Sequence, residues 1–177
     1  MSIELSSRIQ IVLLRHGVAE DHSDTGLDAD RKLTDEGRSI IRREAEFLLN
    51  RGISFDAILT SPYPRAYETA EILAAYFSLS PLVRVDNRMT PGFDMGQLIE
   101  IVTENPSGRS LLFVGHNPDL SEIVNRFCGA QVNLKKGGIA ILEVYSTTPG
   151  GSILKCLLTP AIMGVKRLPF TEISEEN

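Results

Sequence analysis

The sequence predicts an α/β fold of three layers, with helices on both faces of a mostly parallel sheet and an antiparallel hairpin near its C-terminal end. Two observations carry this. Short apolar runs alternate with segments of helical period, the pattern of parallel strands joined by helical crossovers. The last third breaks the alternation: the apolar runs 139–145 and 153–158 flank Ser146-Thr147-Thr148-Pro149-Gly150-Gly151-Ser152, a string of turn formers, and read as a hairpin at one side of the sheet. With 177 residues, 42% of them hydrophobic, the chain suits one domain with a real core. That domain is expected to span residues 1–164, with a polar, acidic tail over 165–177.

In chain order, the first strand is the apolar run 9–14. The stretch 20–31 has no period and many turn formers, and is expected to be a mobile loop over the mouth of a pocket. Thr34 then caps a helix whose first turn carries Asp35 and Glu36, favourable at the positive end of the dipole; Ile41, Ala45 and Leu48 follow at helical spacing and Gly52 ends it. A second strand covers 57–61. Pro62 and Pro64 stop it and pre-set the next helix, on which Ala66, Ala70, Leu73 and Phe77 share one face. A short strand near 82–85, a helix near 95–103, and a strand over 111–114 follow. The next helix carries Leu120, Ile123, Val124 and Phe127 on one face, with Asp119 and Glu122 near its start.

Composition narrows the function. A net charge of −5 argues against a nucleic-acid surface, which needs a basic face. No run approaches the roughly 18 apolar residues of a membrane span, and the N-terminus lacks a basic segment leading into a long apolar stretch; a cytoplasmic protein is expected. Cys128 and Cys156 are read as reduced, buried thiols, a disulfide between them being the alternative. The three histidines form no set with ligand spacing, and neighbouring arginines would repel a cation, so neither a metal nor any other cofactor is expected.

The chemistry concentrates where strands end. Arg15-His16-Gly17 follows the first strand, Ser61-Pro62-Tyr63-Pro64-Arg65 the second, and Gly115-His116-Asn117-Pro118 the strand at 111–114. In open α/β sheets ligands sit at such exits. Two guanidiniums and two imidazoles converging there call for an anion, and phosphoryl is the first candidate because Arg offers forked donors to its oxygens. Arg65, near a helix N-terminus, adds backbone N–H groups to that preference. His22 lies in a polar loop with no partner motif and is set aside, and Lys135-Lys136 reads as a solvated turn whose Gly137-Gly138 can bring backbone close to the pocket rim.

Leu14-Arg15-His16-Gly17, Ser61-Pro62-x-x-Arg65-Ala66-x-x-Thr69-Ala70 and Gly115-His116-Asn117 together resemble the three signatures of the histidine phosphatase superfamily, the phosphoglycerate mutase-like fold. Within it, the short length, Arg31-x-Leu33-Thr34-x-x-Gly37, Met89-Thr90-Pro91 and Leu157-Leu158-Thr159-Pro160 look like the SixA-type phosphohistidine phosphatases, and the likeness runs from about residue 9 to residue 160. The resemblance implies that His16 is the nucleophile, phosphorylated in a covalent intermediate, while Arg15 and Arg65 clamp the phosphoryl oxygens and His116 donates a further hydrogen bond. Gly17 and Arg31 complete the implied phosphate-binding set. The implied partner is a phosphohistidine-bearing protein such as a histidine phosphotransfer domain, with inorganic phosphate as product. Many phosphoesterases of the fold carry a glutamate proton donor after the third strand; here that region reads Asp86-Asn87-Arg88-Met89-Thr90-Pro91-Gly92-Phe93-Asp94, so Asp86 and Asp94 are the candidate donors. Two other functions remain open at this point: a small-molecule phosphomonoesterase or mutase, and a phospho-ligand binding module without turnover.

Overall fold

Among the described residues six strands, β1 (Glu4–Arg15), β2 (Ala57–Thr60), β3 (Val83–Val85), β4 (Ser110–Gly115), β5 (Ile139–Ser146) and β6 (Ser152–Leu158), form one sheet in the order β3-β2-β4-β1-β5-β6. The first four run parallel, while β5 pairs antiparallel with both β1 and β6. The structure is a computed structural model that describes residues 4–164; the expected tail at 165–177 lies outside the described residues. Four helices complete the layers: α1 (Asp35–Asn50), α2 (Pro64–Tyr76), α3 (Met95–Glu104) and α4 (Asp119–Cys128).

The central strands are apolar on both faces, which is why they read as unbroken hydrophobic runs and not as alternation. Ile11, Leu13 and Phe113 pack with Leu98, Leu120 and Phe127 of α3 and α4 on one face. Val12, Leu14, Leu112 and Val114 pack with Ile41, Leu48, Ala70 and Leu73 of α1 and α2 on the other. Phe113 and Phe127 are fully buried, each contributing roughly 1.5–3 kcal/mol by area removed from water. Cys128 lies against the first of these cores and Cys156 against the second, so the sheet separates the two thiols; both are free and half-buried, not fully buried.

Local signals set the element ends. Thr34 Oγ1 accepts from Gly37 N at 2.9 Å, the expected cap of α1, and Gly52 takes a left-handed φ of 69° just past the helix. Pro64 opens α2, placing Arg65 in its first turn. β1 extends further back than the apolar run at 9–14: its antiparallel pairing with β5 is regular from Ile9 onward and resumes at Glu4, opposite Ser146, across an irregularity between the two. β3 starts at Val83, since Ser80–Leu82 forms a single 3₁₀ turn that Pro81 favours. Among the described residues no helix is long and apolar enough to cross a membrane.

At the carboxyl ends of neighbouring strands β1 and β4, the chain leaves to opposite faces, to α1 on one side and α4 on the other. This is a topological switch point, and it opens a crevice at the strand ends. Arg15 pairs in register with Gly115, so the segments 15–17 and 115–117 emerge side by side. The turn at 135–138 closes behind them: Gly137 N donates to Arg15 O and His16 O, and Arg15 N donates to Gly138 O.

That turn covers an unusual core residue. Glu44 sits in the apolar stripe of α1, is 0% exposed, and among the described residues neither carboxyl oxygen has a hydrogen-bond partner. It packs directly on Gly137, where a Cβ would lie 2.5 Å from Glu44 Oε1, and where φ is 76°. Burial pushes its pKa up to about 9, because the charged form would be desolvated. A carboxyl whose folded pKa is raised is stabilising relative to its ionised form below its unfolded pKa of 4.5, and that advantage is lost as pH rises towards 9. Glu44→Gln keeps the shape and removes the titration. Urea unfolding is expected to show the variant more stable than wild type by about 3 kcal/mol at pH 7 and by far less near pH 4. An equal difference at both pH values would show that Glu44 is not held neutral.

Candidate active site

A pocket of about 390 Å³ lies at the switch point, lined by Arg15, His16, Asp28, Arg31, Arg65, Pro91, His116, Asn117 and Lys136. Its walls come from the ends of β1 and β4, the first turn of α2 and three loops. His16, Arg65 and His116 are 6%, 5% and 4% exposed, so their positions are fixed by the protein around them.

His16 N donates to Gly115 O, which extends the β1–β4 pairing by one residue and holds the imidazole at the strand exit. His16 Nδ1 lies 2.8 Å from Gly17 O. A carbonyl only accepts, so Nδ1 carries the hydrogen and Nε2 is left with its lone pair. Burial lowers the His16 pKa to about 3, with the positive charges of Arg65 and Arg15 adding to the effect. The ring is therefore neutral, and its Nε2 can act as a nucleophile at neutral pH.

His116 lies beside it, the ring centroids 5.2 Å apart. Its Nε2 is 2.8 Å from Ser61 Oγ, and its Nδ1 is buried with no partner among the described residues. Ser61 Oγ also accepts from Tyr63 N, so the His116 ring is oriented by a hydroxyl that is itself held in place. Burial, aided by Arg65, lowers the His116 pKa to about 4, so this ring too is neutral. Tyr63 packs edge-on against His116, and the Arg65 guanidinium lies 5.0 Å over the Tyr63 ring.

Arg15 is anchored by Nη1 donating to Leu134 O at 2.8 Å, while its Nε has no partner among the described residues. Asn117 Nδ2 donates to the same carbonyl at 2.9 Å, tying the two strand exits to one loop. Arg65 Nη2 donates to Asp28 Oδ2 at 2.9 Å, and its Nη1 donates to Asp28 O at 2.5 Å. Arg31 Nη1 donates to Asp28 Oδ1 at 2.7 Å and its Nε to Glu20 O. The two arginines hold the Asp28 carboxylate below its ordinary pKa, Arg31 through the larger hydrogen-bond effect. Asp28 belongs to a 3₁₀ turn over Asp28–Asp30, and the period-free stretch around it is tied down by the Ala19–Leu33 bridge and by Glu20 N donating to Lys32 O.

Of the residues singled out in the sequence, Arg15, His16, Arg31, Arg65 and His116 line this pocket. Gly17 does not: its N–H donates to Thr69 Oγ1 at 3.1 Å, and a Cβ there would lie 2.9 Å from Ile41 Cγ1, so its smallness lets α1 approach the strand end. Asp86 and Asp94 are not brought to it either. Asp86 is bound by Arg88, which holds its pKa below the ordinary value, and it caps the 3₁₀ turn Asn87–Met89. Asp94 forms a capping box with Gln97 at the start of α3. The pocket carboxylate is Asp28, which the sequence reading passed over; Pro91 and Asn117 stood there as members of quoted motifs without a role of their own, and Lys136 enters from the turn read as solvated. Among the described residues no group of three or more His, Cys, Asp or Glu is placed to hold a metal ion.

Comparison with known proteins places the chain among relatives. The model of the histidine phosphatase superfamily (branch 1) matches residues 11–90. An uncharacterised protein of Picosynechococcus is 37% identical over 137 residues, covering 74% of this chain and 82% of its own length. Phosphohistidine phosphatase SixA of Escherichia coli is 28% identical over 155 residues, covering 86% of this chain and 94% of its own. In fold, the protein histidine phosphatase SixA complexed with tungstate superposes with a TM-score of 0.77 at 23% identity, covering 86% of this chain and 98% of that one. With three strand-exit signatures around one cationic pocket and a relative this similar over most of both chains, the protein belongs to the histidine phosphatase superfamily and is a phosphatase of the SixA-like kind.

Proposed function

We propose that the protein is a phosphohistidine phosphatase, which takes the phosphoryl group from a histidine borne by another protein, such as a histidine phosphotransfer domain, and releases inorganic phosphate. The observation that carries this is the pairing of a free His16 Nε2 with a pocket whose carboxylate, Asp28, is held ionised between two arginines. That pocket offers a nucleophile and oxyanion donors, and its carboxylate is not a proton donor. A phosphorylated imidazole protonated on its distal nitrogen needs none. Nε2 of His16 bonds to phosphorus, the P–N bond of the substrate breaks, and its electrons return to the ring nitrogen. The imidazole leaves neutral, with its hydrogen still on the distal nitrogen.

Arg15, Arg65 and His116 stabilise the three non-bridging oxygens during this transfer, donors fixed in place before the charge moves. In the second step a water oxygen bonds to phosphorus, the P–Nε2 bond breaks, and both water hydrogens leave on phosphate as dihydrogen phosphate. An alkyl phosphate would have to expel an alkoxide, which without general acid catalysis costs on the order of 10²-fold or more in rate. The sequence relationship supports the reading, since SixA of Escherichia coli is a named phosphohistidine phosphatase similar to this chain along 94% of its length.

The test is parallel incubation of purified protein with a phosphohistidine-bearing protein, 3-phosphoglycerate and an aryl phosphate. kcat/KM for phosphohistidine is expected to exceed that for the alkyl phosphate by about 10²-fold or more. Equal or faster turnover of 3-phosphoglycerate would make the protein a small-molecule phosphoesterase. Binding of phosphate without any turnover would make it a phospho-ligand module.

A further inference from the structure

Within the phosphohistidine reading, one residue stands out as having no place in a simple phosphate cradle. Asp28 puts a carboxylate on the very guanidinium fork of Arg65, with Oδ2 on Nη2 and its backbone oxygen on Nη1, and lays its other oxygen on Arg31. Arg65 is buried at the pocket wall, whereas the Asp28 side chain is 61% exposed at the mouth. The carboxylate thus lies between the phosphoryl-binding interior and whatever group carries the phosphoryl in from outside. The backbone holding it there is built, not slack: the 3₁₀ turn Asp28–Asp30, Ser23 Oγ on Leu27 O, Thr25 Oγ1 on Asp30 Oδ2, and the Ala19–Leu33 bridge behind.

A negative group at that point acts differently on different ligands. Inorganic phosphate and phosphomonoesters bring up to two negative charges near neutral pH and no positive charge; they must compete with Asp28 for Arg65 and are repelled by it. A protonated phosphoimidazole carries the same phosphoryl charge but a positive ring, whose distal N–H is a donor facing outward. We propose that Asp28 is a specificity-determining residue that favours phosphoryl groups carried on a protonated imidazole and disfavours inorganic phosphate and phosphomonoesters. It does so by yielding one oxygen's place on Arg65 to the phosphoryl group and accepting the ring N–H instead. The proton stays on the distal nitrogen throughout, so the residue is an acceptor that keeps the ring a good leaving group and does not itself transfer a proton.

The test compares wild type, Asp28→Asn and Asp28→Glu, with three readouts: kcat/KM on a phosphohistidine-bearing protein, kcat/KM on p-nitrophenyl phosphate, and the inhibition constant of inorganic phosphate. Because the side chain is exposed, both variants are expected to fold, which circular dichroism checks. In Asp28→Asn, phosphate should inhibit about tenfold more tightly, p-nitrophenyl phosphate should be turned over faster, and phosphohistidine about tenfold more slowly, the scale of one charge-assisted hydrogen bond. Asp28→Glu should restore the wild-type order. A common change on both substrates would overturn the assignment, as it would mean a general effect on the pocket. Wild-type protein that cleaves p-nitrophenyl phosphate but leaves phosphohistidine intact overturns the phosphohistidine reading itself. The phosphate readout then stands alone, and an inhibition constant unmoved in Asp28→Asn overturns the role of Asp28.

Discussion

His16→Ala is expected to abolish turnover, leaving at most about 10⁻⁴ of the wild-type rate, as loss of a covalent nucleophile does. The fold should survive, because the side chain makes one hydrogen bond, Nδ1 to Gly17 O, worth about 1 kcal/mol net, and β1 keeps its ladders to β4 and β5. In wild type, a phosphoenzyme trapped from labelled substrate should be stable to base and labile to acid, as phosphoimidazoles are. The low His16 pKa fixes the sign of its pH dependence: the ring is unprotonated at any pH above about 3, so the nucleophile does not switch off on mild acidification. Label recovered on serine, or on His22, would defeat the assignment. So would a His16→Ala protein retaining the label.

Arg65→Lys should be the most damaging change that preserves charge, with kcat/KM falling on the order of 10²–10³-fold. The guanidinium is 6% exposed and oriented on both sides, by the Tyr63 ring beneath it and by the fork onto Asp28. An ammonium would keep the field but lose the planar pair of donors and the stacking. Its shorter reach would also leave the Asp28 backbone oxygen without its partner. Steady-state kinetics within a few-fold of wild type would place Arg65 outside the reacting group's contacts. A loss confined to KM would mean that it binds ground state and transition state equally.

What could be read from the sequence is what depends on neighbours in the chain. Thr34 capping Gly37, Pro64 at the start of α2 and the apolar runs of β1 and β4 are local, and each stands as expected. The convergence of Arg15, His16, Arg65 and His116 was legible through one non-local rule, that side chains at parallel strand exits share a crevice. Asp28 and Lys136 reach the pocket on loops whose course depends on tertiary contacts, and neither periodicity nor a quoted motif marks them. Asp86 and Asp94 look like free acids in sequence, but each has a local use: Arg88 two residues on, and Gln97 three residues on. Glu44 did leave a signal, falling four residues after Ile40 and three after Ile41 on the apolar face of α1. It went unread because a glutamate in a stripe is ordinarily taken for its edge.

That glutamate makes proton stoichiometry part of this protein's folding reaction. The Glu44 carboxyl is ionised in the unfolded chain at neutral pH and protonated in the folded one, so through this group alone each molecule that folds withdraws close to one hydrogen ion from solution. The heat of refolding therefore includes the ionisation enthalpy of whatever buffer surrenders that ion. The reaction drives itself forward in acidifying surroundings, and in alkaline ones the proton must be found at increasing cost.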